Sequence, residues 1–134
     1  MDNAAVRIDE ATLPFATIAE LSAALRTRQI SCVELIKFFG QRLDTLAPLY
    51  NALALSLTKQ AHAAAKDVDG DIKRERFRGP LQGIPYGVKD LISVAKYPTT
   101  WGAKPFADQV FDCNATVVNR LEKAKAILIG KLSM

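Results

Sequence analysis

The sequence predicts an α/β chain, with N-terminal helices leading into the first strands of a sheet that its 134 residues leave incomplete. Three observations predict it. The first half carries two helix-start signals, each followed by apolar residues at helical spacing. From Gly79 onward, glycine and proline alternate with short apolar pieces. Near the end, a helical pattern over about 115–124 runs straight into the apolar residues 126–130. A helix followed at once by a buried strand is half of an α/β crossover unit.

Taken in order, residues 1–16 show no periodic pattern and are expected to form a loose arm, with the folded part spanning 17–134. Thr17-Ile18-Ala19-Glu20 and Ser31-Cys32-Val33-Glu34 both fit the capping box. In that motif a hydroxyl accepts from a backbone N–H three residues on, and the glutamate reaches back to the cap. Ile18, Leu21, Ala24 and Leu25 follow the first box, and Leu35, Ile36, Phe39, Leu43 and Leu46 follow the second. Their spacing predicts amphipathic helices over 18–28 and 32–46. Pro48 ends the second, and 51–56 alternates weakly enough to read as a short extended segment. A third helix is expected over 58–69, rich in alanine, lysine and glutamine, with Gly70 closing it. Residues 84–89 read as a short strand that delivers Lys89 at its end, with Pro85 suited to a sheet edge because it lacks an N–H. Asn114 is expected to cap the 115–124 helix, with Val117, Val118, Leu121 and Ala124 on one face.

Composition excludes several classes. No apolar run approaches the roughly 20 residues needed to cross a bilayer, which argues against a membrane. The first ten residues have neither a basic segment nor an apolar core, so the cytoplasm is the expected location. Cys32 and Cys113 match no metal-ligand spacing, and His62 is the one histidine. Neither a metal nor another cofactor is therefore expected, and the cysteines read as reduced thiols. The net charge of +4 is mild, and its one dense cluster is Lys73-Arg74-Glu75-Arg76-Phe77-Arg78. With a single aromatic it reads as a solvated loop rather than a nucleic-acid site.

One stretch carries chemistry. Gly79-Pro80-Leu81-x-Gly83-Ile84-Pro85-x-Gly87-Val88-Lys89-Asp90 is followed by Pro98-Thr99-Thr100-x-Gly102-Ala103. Ala115-Thr116-Val117-Val118-x-Arg120-Leu121 and Ile127-Leu128-Ile129-Gly130-Lys131 come next. In order and spacing these blocks resemble the amidase-signature family from about Leu13 to the last residue. The bacterial amidases related to the A subunit of the tRNA-dependent amidotransferase are especially similar. The resemblance implies a mixed sheet sandwiched by helices and a Ser–cis-Ser–Lys triad that hydrolyses a carboxylic amide through an acyl-enzyme. Lys89 would be its base, acting on a small-molecule amide. An ammonium cannot accept a proton, so such a lysine must be neutral. Its reference pKa of about 10.4 must then fall by several units, which burial can achieve. Lys89 is therefore expected to be buried, with Asp90 on the opposite face holding backbone groups.

The family's glycine- and serine-rich segment has no counterpart here, since Ser93 and Ser133 lack flanking glycines. The chain alone is therefore expected to be an inactive fragment. A non-catalytic module docking on a partner chain is one alternative, because an incomplete sheet favours self-association or a partner. The amidotransferase A-subunit type acting on glutamine is the other that the resemblance implies. Lys96 and Lys125 stand where the family has glycine, and Asn114 where it has aspartate. At Lys125, where a helix ends, a side chain costs on the order of 1 kcal/mol if the backbone is left-handed.

Overall fold

The computed structural model describes residues 9–134. Four helices and three strands follow one another as α1 (Ile18–Arg26), α2 (Cys32–Leu46), β1 (Leu53–Ser56), α3 (Thr58–Lys73), β2 (Pro85–Lys89), α4 (Thr116–Lys123) and β3 (Ile127–Leu132). Both capping boxes form. The Thr17 hydroxyl accepts from the Glu20 N–H and the Glu20 carboxylate accepts from the Thr17 N–H, with Ser31 and Glu34 paired the same way. At α2 a second cap comes from far along the chain, as the Asp69 carboxylate of α3 accepts from the N–H groups of Cys32 and Val33 at 2.7 and 3.1 Å. Negative charge there satisfies orphan donors at the positive end of the helix.

The sheet is mixed, in the order β1-β3-β2, with β1 antiparallel and β2 parallel to the central β3. Pro85 sits on an edge strand, as its missing donor requires. One core lies between the sheet and α1–α3, where Leu21, Leu25, Leu35, Ile36, Val68 and Ile72 meet Ile84, Ile127 and Ile129. A smaller core on the other face joins Val88, Val94 and Val118, with Tyr86 and Leu128 packed against it. Helices thus lie on both faces of the sheet.

Gly83 sits at a tight junction of the main core. It has φ +79°, and a β-carbon there would lie 3.1 Å from both the Cys32 sulfur and Leu25. Only glycine satisfies both that backbone and that space.

Four expectations are corrected. Gly70 does not end α3, which runs one further turn to Lys73. Residue 114 does not cap α4, whose first turn has no side-chain cap. Asn114 instead accepts from the Ala95 N–H and donates to Asn119 and Glu122, which pins the preceding loop to the helix. Val117 is exposed while its neighbour Val118 is fully buried, so the apolar face of α4 is narrower than its composition suggests. The arm is not loose from Asp9 on. Leu13–Phe15 form a 3-10 turn, and Leu13 is buried in the main core. Residues 1–8 of that expected arm lie outside the described residues.

Candidate active site

Lys89 is the last residue of β2, at the C-terminal end of a strand that runs parallel to its neighbour. Open α/β sheets place functional groups at that end. The neighbouring β3 carries a bulge. Tyr86 pairs with Leu128, but Gly87 pairs with Gly130, so Ile129 is an extra residue on β3. A bulge reverses the alternation of side chains beyond it. Ile127 and Ile129 face α1–α3, and strict alternation would send Lys131 there too, into apolar packing. The bulge turns it instead to the second face, level with Val88.

There Lys131 meets Asp90. The ammonium is 0% exposed and lies 2.9 Å from the Asp90 carboxylate, itself 2% exposed. It also donates to the Pro98 carbonyl at 2.5 Å and the Thr99 hydroxyl at 2.7 Å. Three donors thus find three acceptors, so every hydrogen of the buried ammonium is satisfied. The other Asp90 oxygen accepts from the Thr100 N–H at 3.2 Å and from the Thr100 hydroxyl. Burial is the strongest single influence on Asp90 and pushes its pKa up. The hydrogen bonds from Thr100 and Lys131, with the charge of Lys131, outweigh it and hold the carboxyl below its ordinary value. The expected role of Asp90, holding backbone groups on the face opposite Lys89, is the one it takes.

Lys89 itself departs from expectation. It is exposed, not buried. Val88 turns inward to Val94 and Val118, so Lys89 points to the other face, level with Leu132 and beyond the cover of the helices. Leu91, two residues on, is half exposed. Among the described residues, no hydrogen bond or ion pair engages the Lys89 ammonium. Ser93 and Ser133 are engaged through their backbones, the Ser93 carbonyl accepting from Ala115 and the Ser133 N–H donating to Ala52. Tyr86, on the second face, has a buried hydroxyl with no partner among the described residues, and burial and then the charge of Glu122 push it up to about 12.

Sequence reasoning missed the role of Lys131, which it read only as the end of a strand block. Polarity at the end of an otherwise apolar run was the available signal. The bulge that decides its direction has no signature in the sequence.

The architecture is thus a mixed sheet between helical layers, with a lysine at the end of a parallel strand and a buried lysine–aspartate pair behind it. The family model described as Amidase matches residues 34–134, and the chain belongs to that family. It is 38% identical over 128 residues to a putative amidase, AmiD, of Mycobacterium tuberculosis, covering 96% of this chain and 27% of that protein. It is 41% identical over 119 residues to the A subunit of the glutamyl-tRNA(Gln) amidotransferase of an Azoarcus species, covering 89% of this chain and 24% of that one. Among solved structures, the native peptide amidase of Stenotrophomonas maltophilia superposes with a TM-score of 0.80 at 30% identity, over 90% of this chain and 25% of that protein. The chain spans about a quarter of the length of the relatives it matches.

Proposed function

We propose that this chain supplies the lysine arm of an amide hydrolase, with Lys89 as the base that activates a serine nucleophile outside these 134 residues. The observation that carries this reading is the position of Lys89 at the C-terminal end of a parallel strand, within a motif of the amidase family. Its exposure fits the same reading. A lysine that must lose its proton needs desolvation, and the cover that provides it would come from the remaining three quarters of an amidase fold. The substrate class is a carboxylic amide, cleaved at its C–N bond by acyl transfer through a Ser–cis-Ser–Lys triad. The 41% identity to the A subunit of an amidotransferase favours a second reading, in which that amide is the side chain of glutamine.

Two assays test the proposal. The chain alone should show no amide turnover, and turnover abolished by Lys89→Ala would mean that it contains a nucleophile of its own. In a longer protein carrying this sequence, Lys89→Ala should lower kcat by about 10²–10⁴-fold, the usual contribution of a positioned general base. Lys89→Arg should not rescue it, because a guanidinium does not give up its proton at any working pH. Undiminished turnover in Lys89→Ala overturns the proposal.

A further inference from the structure

Two lysines lie at the C-terminal ends of adjacent parallel strands, yet their surroundings are opposite. Lys89 is exposed and unengaged among the described residues, whereas Lys131 is fully buried and has every donor satisfied. The buried one is tied to the peptide unit that carries the exposed one. Asp90 follows Lys89 directly, and its N–H donates to the Leu132 carbonyl at 2.8 Å. Its own carbonyl accepts from the Trp101 N–H at 3.2 Å, and its carboxylate holds Thr100 and Lys131. Every polar group of Asp90 is thus fixed, and three of the five anchoring contacts come from the 100–101 turn.

We propose that Lys131 is a positioning residue for Lys89: it clamps Asp90 and the 98–100 segment across the end of β2, and it cancels the carboxylate charge next to Lys89. The inference rests on the reading of Lys89 as a base, because only a base is harmed by a neighbouring negative charge. A carboxylate left uncompensated beside an amine favours the ammonium form, the form that cannot accept a proton. One unit charge left uncompensated beside a largely solvated amine changes its neutral fraction by about fourfold, the order that Coulomb's law sets for such a pair. Several other charged groups on the packed elements have partners of their own. Glu34 of α2 is held by Ser31, Asp44 accepts from Ser56 and Thr58, and Arg42 lies over the Phe38 ring. Glu122 of α4 is bonded by Asn114 and lies beside Tyr86 on the second face. Among these, Asp90 and Lys131 are the pair that meets the Lys89 strand end.

The test compares the rate at which an amine-reactive acetylating reagent modifies Lys89 at fixed pH and low salt. The exposed Lys59 of α3 serves as the reference in the same molecule, with mass spectrometry as the readout. Lys131→Met leaves Asp90 uncompensated, and Lys89 should react about fourfold more slowly. Asp90→Asn leaves Lys131 uncompensated, and Lys89 should react about fourfold faster. A merely structural clamp gives no such opposition of sign. Equal rates in both variants, or a shift in the same direction in both, overturn the proposal. Should Lys131→Met fail to fold, the near-isosteric Asp90→Asn decides alone: acceleration supports the proposal and an unchanged rate overturns it. No amide turnover enters this measurement, so its outcome is separate from that of the hydrolase reading.

Discussion

At the scale of single residues, the Asp90–Lys131 pair is where charge, burial and backbone placement meet. Removing one member of a buried, fully bonded ion pair leaves the other unpaired, which costs about 3–5 kcal/mol. Lys131→Met should therefore lower unfolding stability by about that much in denaturant titration, and adding Asp90→Asn should recover part of the loss, because no unpaired charge then stays buried. The pair also sets part of the acid limit. Asp90 has a folded-state pKa below its unfolded value, so between the two values the unfolded chain binds more protons. Its contribution is present above about pH 4 and is lost as pH falls through the folded value. A stability–pH curve for Asp90→Asn should accordingly be flatter on its acid limb than that of the parent. Cys32 behaves in the opposite sense. Burial, and then the charge of Asp69, push its thiol up to about 12, and its sulfur lies 3.5 Å from the Gly83 carbonyl. At about pH 8 a thiol-alkylating reagent should modify the exposed Cys113 and leave Cys32 untouched until denaturant is added. Modification of both at equal rates would mean that the junction around Gly83 opens readily.

At the scale of elements, the sequence marks beginnings better than ends. Thr17 and Ser31 announce α1 and α2 because a capping box is a local device, complete within four residues. The ends are written differently. Helices α1, α3 and α4 each close with the same pair of backbone hydrogen bonds. These are Gln29 to Ala24 with Arg28 to Leu25, Arg76 to Asp71 with Glu75 to Ile72, and Ala126 to Leu121 with Lys125 to Glu122. This Schellman geometry requires a left-handed residue, and here Arg28, Glu75 and Lys125 hold it at φ 59°, 57° and 62°. The family's glycine pattern points to Lys125 alone, and the interior glycine at 70 misled because glycine is the usual terminator. Each of Arg28→Gly, Glu75→Gly and Lys125→Gly should raise stability by about 1 kcal/mol. The three sites share no partner, so the gains should add. Gly70→Ala should also help, by roughly 0.5–1 kcal/mol, since a β-carbon there meets only the guanidinium of Arg74. Thermal unfolding of the single and combined variants checks these values, and a loss of stability at any of the three helix ends would contradict the strain argument. The strand end carrying Lys89 was legible because its motif is contiguous. The clamp beneath it was not, because it joins residues 90, 98–100 and 131 through a bulge and tertiary packing.

At the scale of the whole molecule, the question is what this arrangement leaves uncovered. Among the described residues both outer strands have a free edge, but the two edges are not equivalent. That of β2 carries Pro85, which offers no donor, and the charged Lys89, two features that natural sheets use to discourage pairing. That of β1, Leu53-Ala54-Leu55-Ser56, has no charge and no proline, and Ala54 is exposed. The turn leading into β1 adds Leu49 and Tyr50, which are 74% and 79% exposed. An edge without charge or proline beside exposed apolar side chains is a template for pairing with another chain, although an irregularity at Ala54 interrupts its ladder. The 134-residue chain should therefore associate through β1, with a weight-average mass in sedimentation equilibrium that rises with loading concentration. Ala54→Lys places a charge on that edge, and Leu49→Lys removes one of the apolar neighbours. Each should shift the chain toward monomer without lowering its unfolding midpoint, because neither side chain is in the core. Lys89→Ala, on the guarded edge, should leave the association unchanged. A mass that stays monomeric at every concentration, or that falls in Lys89→Ala and not in Ala54→Lys, would place the sticky edge elsewhere and remove the case for β1.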